Sequence, residues 1–575
     1  FLPFGGFKGV ELPTEDFPRH AGECNTLKMR REAPPRPIFI LSAAVASAVL
    51  VVANISSLNV ALPELSRELG ASQSDVQWMV DIYAFFLATL LLPAGALGDR
   101  YGRRRMLLIG IFILGAANAA TLLTSDVSLV ITSRAVSGVG AALIFPATLS
   151  TITTTLPEGK RVKGVAIWTA SVFFGGLSGV LISGALMENY WWGSVFLAMS
   201  ILAGAIFLLC WAYLPDSSNP DEANMDPLGA LLSFVAVGGI VFGVMEGPIK
   251  GWSSILIVFS FIIGTLALVA FVLWERHTPR PLLDVRMFAD RGVRSGSFSL
   301  LVQFTVAFGF FFLTVPLLAF VFGYGPLDMG LSLMPAAIGL FPASAIAIPL
   351  TRKIGFRTVG TLGLVLLAGA FYLGTSLETD SSFLLFAVVM IIYGAGIGFA
   401  SPPATEIIVE ALPMEKQGVA SALNDVLREL GAVVGIALSG SIFNAGYRSS
   451  LGGIEGLPQE VIERVKETPA AAAIIAPSLG ENGLVLLDTV AQSVIDGWDN
   501  GLWAACITAA IGAVGFCLWA PGCGNNQNAT IAGKFEERAL HYSDVSKVLR
   551  IEGVRSRTSI TVHHKVVTKN KKHDE

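Results

Sequence analysis

Charge is scarce in this sequence. Asp, Glu, Lys and Arg together make up 14% of its 575 residues, against roughly 25% in a soluble protein. Apolar residues make up 53%, and the mean hydropathy is +0.65. The net charge is −4 and the basic residues are scattered over loops and tail, so no nucleic-acid partner is expected. Histidine is scarcer still. His20, His277, His541, His563, His564 and His573 all fall in tails or a loop, which argues against a histidine proton relay. The five cysteines (Cys24, Cys210, Cys506, Cys517, Cys523) show no metal-ligand spacing. Cys210, Cys506 and Cys517 lie in or beside apolar runs and read as inert packing, so neither a metal nor a cofactor is expected. No nucleophile–base set is visible, which speaks against an enzyme. A secretory signal with a cleavage site is also missing; the first apolar run, from about Ile38, is long enough to stay as an anchor.

What the chain has is long apolar runs. A helix crossing the bilayer core needs about 20 such residues. Fourteen candidates run approximately over 38–61, 78–97, 106–123, 128–152, 165–187, 194–214, 227–245, 252–274, 296–322, 331–350, 358–377, 382–411, 419–444 and 500–519. This predicts an all-α polytopic membrane protein. Between the second and third runs stands Gly95-Ala-Leu-Gly98-Asp99-Arg100-Tyr-Gly102-Arg103-Arg104-Arg105. Four arginines in a tight turn are very costly in hydrocarbon and are favoured on the cytoplasmic side. With both termini cytoplasmic, the inner loops hold these arginines, Lys160/Arg161/Lys163, Arg276 to Arg294, Arg352/Lys353/Arg357 and Lys416. The acidic link Asp216–Asp226 is the one inner loop that does not support the rule. Residues 1–36 read as a disordered or non-native arm and 521–575 as a cytoplasmic tail. In the outer segment 445–498, Pro458–Glu467 and Ala470–Ala476 read as short helices, either a hairpin over the bundle or a passive connector.

A charge at mid-membrane costs roughly 2.5–3.5 kcal/mol on insertion scales, so each one is a candidate functional residue. Asp81, Arg134 and Asn54 lie at comparable depth in the outer halves of spans two, four and one, where a polar cluster is expected. Asp81 reads as a proton or cation site at the cavity mouth, or as a cap near its helix start. In span thirteen, Asp425 and Glu429 are four apart and share a face, with Arg428 beside them. By helical rise they sit about 9 and 15 Å in from the cytoplasmic end. Either could be a carboxylate that exchanges a proton and a cationic substrate; alternatively Arg428 ties one of them into a permanent ion pair. Trp78, Tyr83, Trp168, Phe173 and Phe174 could offer aromatic faces to a lipophilic cation, packing or an interfacial belt being the competing role. Gly394-Ala-Gly396-Ile-Gly398 lacks the setting of a dinucleotide loop and reads as close helix packing. Glu406 reads as snorkelling to the interface.

The run Gly95–Arg105 resembles the loop between helices two and three of the major facilitator superfamily. Asn59-Val-Ala-Leu-Pro63, Trp78-Met-Val-Asp-Ile-Tyr83, Arg134 with Gly138 and Gly140, Trp191–Phe196, Gly323–Leu327, and Val419–Leu423 leading into Leu427–Gly431 are similar to further motifs of its fourteen-helix drug:proton antiporter branch. They stand closest to exporters of quaternary ammonium compounds. Arg352-Lys-Ile-Gly-Phe-Arg357 echoes the Gly95–Arg105 loop. The resemblance implies two pseudo-symmetric six-helix halves, 37–214 and 276–520, with an inserted pair at 215–275. It implies a monomeric exporter in the plasma membrane (the inner membrane of a bacterium), exchanging amphipathic, cationic compounds for protons by alternating access. A dedicated metabolite or peptide exporter, a proton symporter and a non-transporting sensor are the alternatives. Asp99 and Arg103, with Gly95 and Gly102, are expected to form a cytoplasmic gate. Two departures stand out. Asn54 occupies the place of the branch's first-helix acid and cannot carry a proton. The fifth-helix antiporter motif keeps its small residues (Gly175, Gly179, Gly184) but has lost its proline.

Overall fold

A computed structural model describes residues 37–215, 226–279, 281–410, 417–451, 459–467 and 469–521. The expected arm at 1–36, nearly all of the tail, most of the acidic link and Lys416 lie outside the described residues. Within them the chain is helical and carries no strand. Hydrocarbon offers no partner for backbone N–H and C=O groups, and a helix satisfies them within one segment.

The first group comprises α1 (Pro37–Leu69), α2 (Gln73–Tyr101), α3 (Arg103–Thr121), α4 (Val127–Thr155), α5 (Glu158–Met187) and α6 (Gly193–Tyr213). Then come α7 (Pro227–Lys250) and α8 (Ile255–His277). The last group is α9 (Arg291–Pro316), α10 (Pro326–Ser332), α11 (Pro335–Ile354), α12 (Phe356–Gly374), α13 (Phe383–Glu410), α14 (Gln417–Ser450), α15 (Gln459–Glu467), α16 (Pro469–Ile475) and α17 (Glu481–Trp519). Fourteen stretches of the described residues are long and apolar enough to cross a bilayer, α10 and α11 together making the tenth.

Helix starts follow local chemistry. Ser72 and Asp75 form a reciprocal capping box at α2, and Asp126 and Asp290 accept from the first N–H groups of α4 and α9. The helices α1 to α6 pack on one another, as do α9, α11 to α14 and α17. One apolar core runs through the first group and takes in Phe304 of α9, Ile408 of α13 and Val426 of α14; a second fills the last group. The pair α7–α8 lies along the seam, with α7 against both α2 and α14. Most of α8 faces outward; only Ile257, Gly264, Ala267, Phe271 and Glu275 of it are buried.

The largest departure from the expected boundaries is at 445–498. α14 runs on to Ser450 and α17 begins at Glu481, which leaves α15 and α16 in a shorter connection. Tyr447 Oη donates to Val465 O (2.8 Å) and Arg448 Nε to Lys466 O (3.2 Å), tying α15 to the end of α14. Leu486, Val490, Val494 and Trp498 continue one buried apolar face of α17 at helical spacing. The interleaved Asp488, Asp496 and Asp499 hide that face from a hydropathy count. Gly394, Gly396 and Gly398 sit inside α13, where added Cβ atoms would strike the backbones of α11 and α12. Close packing is therefore their role.

Candidate functional site

At the arginine-rich end of the bundle, a buried carboxylate joins the two helical groups by hydrogen bonds. Asp99, at the end of α2, is 6% exposed. Its Oδ1 accepts from Arg103 Nη2 (2.9 Å) and from Gly418 N (2.9 Å), and its Oδ2 accepts from Val419 N (3.1 Å). The last two are free N–H groups of the first turn of α14, where the helix dipole adds to the attraction. Gly95 makes the contact possible: a Cβ there would stand 2.6 Å from Gly418 O and 2.7 Å from Ala422 Cβ. Gly102 ends α2 and opens α3 at a φ of 100°, which side chains rarely adopt.

Deeper in the bundle, Arg134 of α4 is almost fully buried. Its Nη1 donates to Asn54 Oδ1 on α1 (2.7 Å), its Nε to Met79 O on α2 (3.2 Å), and its guanidinium lies 4.5 Å from the centre of the Tyr83 ring. The expected meeting of Arg134 and Asn54 is thus present, with a neutral amide as acceptor. Asp81 is not part of it. It is half-buried, accepts from Gln77 Nε2 (3.1 Å) and lies within electrostatic reach of Glu246 on α7. The reason is helical phase. Met79 and Tyr83 are four apart and face α4 together, and the residue between them points away.

The facing acids of α14 lie across the seam. Asp425 is completely buried; its Oδ1 accepts a long bond from Asn424 Nδ2 (3.4 Å), and its Oδ2 has no partner. Glu429 is half-buried and within electrostatic reach of Tyr83, which links the two polar clusters. Arg428 pairs with neither acid. Its Nη2 donates to Thr405 Oγ1 (3.0 Å) and Ser401 Oγ (3.5 Å) on α13, and its guanidinium stacks on Trp168 and Phe304. No hydrogen-bonded ion pair of Arg428 with either acid forms among the described residues: the side chain reaches across to α13, α5 and α9 while staying within electrostatic reach of both Asp425 and Glu429.

Among the aromatic candidates, Tyr83 and Trp168 face arginines, and Phe173 meets Phe304. Trp78 meets Phe242 of α7, and Phe174 is 45% exposed. Gly175 and Gly179 bring α5 onto α1. A Cβ on Gly179 would collide with Ser56 Oγ and Ala53 O, and one on Gly175 would stand 3.0 Å from Val52 Cβ. Gly184 is different: its Cβ would meet Leu327 of the other group at an ordinary 3.6 Å. Glu406 is half-buried near Glu410 and Arg352. Phe304, Ser401, Thr405 and Asn424 escape the sequence reading. The signal for two of them was present, since Ser401 and Thr405 are a polar i, i+4 pair inside an apolar span.

Comparison with known proteins agrees with this architecture. The model of the Major Facilitator Superfamily matches residues 44–436. The methyl viologen resistance protein SmvA of Salmonella typhimurium is 32% identical over 457 residues, covering 79% of this chain and 91% of that protein. The multidrug efflux pump LfrA of Mycolicibacterium smegmatis is 29% identical over 480 residues, covering 83% and 94%. Among solved structures, the human organic anion transporter MFSD10 superposes with a TM-score of 0.56 at 12% identity, over 83% of this chain and all of that one; at that identity the likeness concerns the fold.

Proposed function

The chain belongs to the Major Facilitator Superfamily and is a multi-pass membrane transporter rather than an enzyme; from that premise we propose that it exports amphipathic organic cations in exchange for protons by alternating access. Drug export is what the relatives' names, methyl viologen resistance and multidrug efflux, support. The cation and the proton are supported by one observation: among the described residues Asp425 and Glu429 lie at the seam of the two groups with no close ion pair, and the nearby Arg428 is turned to aromatic faces instead. An unpaired carboxylate inside the bundle has two ways to be neutralised, by a proton or by an organic cation. If each excludes the other, the two are exchanged across the membrane. Asp99 is the latch that holds the arginine-rich end shut. By the charge of its loops that end is cytoplasmic, with both termini inside, and the membrane is the inner membrane of a bacterium. The working unit is the monomer.

The test uses the purified protein in liposomes with an internal pH dye and tetraphenylphosphonium as probe. The cation is expected to drive proton movement, and Asp425→Asn or Glu429→Gln to abolish it while counter-flow of the labelled cation persists. Unchanged proton coupling in both variants would overturn the role of α14. Cation transport with no proton movement in the unaltered protein would overturn antiport.

A further inference from the structure

The two aromatic faces that hold Arg428 come from opposite helical groups. The guanidinium carbon stands 4.8 Å from the ring centre of Trp168 on α5 and 5.0 Å from that of Phe304 on α9. Both rings are held in place. Trp168 Nε1 donates to Thr148 Oγ1 (2.8 Å) and its ring meets Phe145, while Phe304 packs on Phe173 and Phe308. The result is an aromatic enclosure around one cation, buried at the seam.

The cation inside it is poorly served in every other respect. Arg428 is 2% exposed, and its Nε and Nη1 have no hydrogen-bond partner among the described residues. A buried guanidinium with donors unmet is costly, and so is a buried carboxylate with an oxygen unmet. Asp425 Oδ2 is such an oxygen, one turn back on the same helix face. Arg428 therefore has a second position within reach of its flexible stem, against Asp425, where both groups would gain. What keeps it from that position is the pair of aromatic faces together with Ser401 and Thr405. A competitor for the aromatic faces shifts Arg428 toward the second position.

Taking the export of organic cations as given, we infer that the Trp168–Phe304 enclosure is the seat of the substrate's cationic group, and that Arg428 fills it as a tethered stand-in until the substrate displaces it toward Asp425. The enclosure then never stands empty while buried, and an arriving cation both gains the aromatic faces and leaves the displaced guanidinium beside an acid. Neutral amphiphiles do not gain those faces and compete poorly with Arg428.

The experiment measures equilibrium binding of labelled tetraphenylphosphonium to the purified full-length protein, with Arg428→Met, Trp168→Leu and the double variant alongside. Arg428→Met is expected to bind about tenfold more tightly, because no tethered cation competes, and adding Trp168→Leu is expected to remove that gain. A second measurement avoids the arginine variants. The emission of Trp168, taken as the difference between the unaltered protein and Trp168→Phe, is expected to change as tetraphenylphosphonium binds. Equal affinities in all four proteins, or binding that leaves Trp168 emission unmoved, overturns the stand-in and leaves cation export intact. No binding of the cation by any of them, with a neutral amphiphile such as chloramphenicol still exported, overturns the cation reading and the seat with it.

Discussion

In each helical group a glycine at positive φ joins two antiparallel spans: Gly102 between α2 and α3 (φ 100°) and Gly355 between α11 and α12 (φ 90°). Each donates its N–H to the carbonyl four residues back, Gly98 O at 3.1 Å and Thr351 O at 2.9 Å. Two residues beyond each glycine an arginine reaches the far end of its own group's last span. Arg104 Nη2 donates to Trp211 O near the end of α6 (2.7 Å), and Arg357 donates through Nε and Nη2 to Ala520 O after α17 (2.8 and 2.6 Å). The turns part three residues before the glycine. One has Asp99, which accepts from the start of α14; the other has Arg352, which has nothing to accept with. The start of α5, the fifth span of its group as α14 is of the other, is capped by Pro157 with no side-chain hydrogen bond. The shared glycine and arginine therefore build the turn and tie it to its own group. The hydrogen bond from the turn to the other group is a separate feature, made by Asp99 in the first turn; on the other side Arg161 of α5 lies within electrostatic reach of Glu410 of α13. A charge on a helix N-terminus contributes about 0.3–2 kcal/mol. That is enough to bias an equilibrium between two states without freezing it.

The comparison breaks most visibly at Asp99. Asp99→Ala removes acceptors for Arg103, Gly418 and Val419, and export is expected to fall at least about tenfold at unchanged expression, because the closed end no longer holds. Export at the unaltered rate in resting cells would erase the distinction between the turns. Next come the glycines: Gly102→Ala and Gly355→Ala are expected to cost about 1–3 kcal/mol each, by similar amounts, since both force a side chain into the same forbidden backbone region. Thermal melting in detergent reads this, and a large cost at only one position would show the turns to be less alike than they look. Arg352→Ala sharpens the contrast by removing the charge that stands where Asp99 stands in the other turn. Because Arg352 lies beside Glu406 and Glu410 of its own group and accepts no bond from α5, export is expected to fall less than about threefold; a loss as large as that of Asp99→Ala would contradict it. The smallest effect on export is expected from Arg104→Ala and Arg357→Ala, which leave the rate unchanged while thermal melting reads a loss of about 0.5–1.5 kcal/mol each.

How much of this was legible varies with the length scale of the cause. The spans were readable because a bilayer demands unbroken apolar runs, and the early start of α17 was not, because Asp488, Asp496 and Asp499 interrupt its composition while leaving its buried face intact. Asn54 and Arg134 were readable as polar residues at one depth. That Asp81 stands apart from them follows from its position between Met79 and Tyr83 on α2, a matter of phase rather than depth. Arg428 was readable as a charge beside two acids on one helix. Its actual partners come from α5, α9 and α13, and no local spacing announces them.

By itself, then, the order of residues determined that this chain is helical, crosses a membrane fourteen times and turns at Gly102 and Gly355, because hydrocarbon, helical rise and backbone sterics act on neighbours a few residues apart. Only the tertiary structure decided that Asp99 closes on α14 rather than on its own helix alone, that Arg134 takes an amide, and that Arg428 turns from two nearby acids to aromatic faces on both sides of the seam. Those outcomes depend on which side chains are brought together from distant segments at buried sites. There a few tenths of a nanometre choose between an ion pair and a stacked cation.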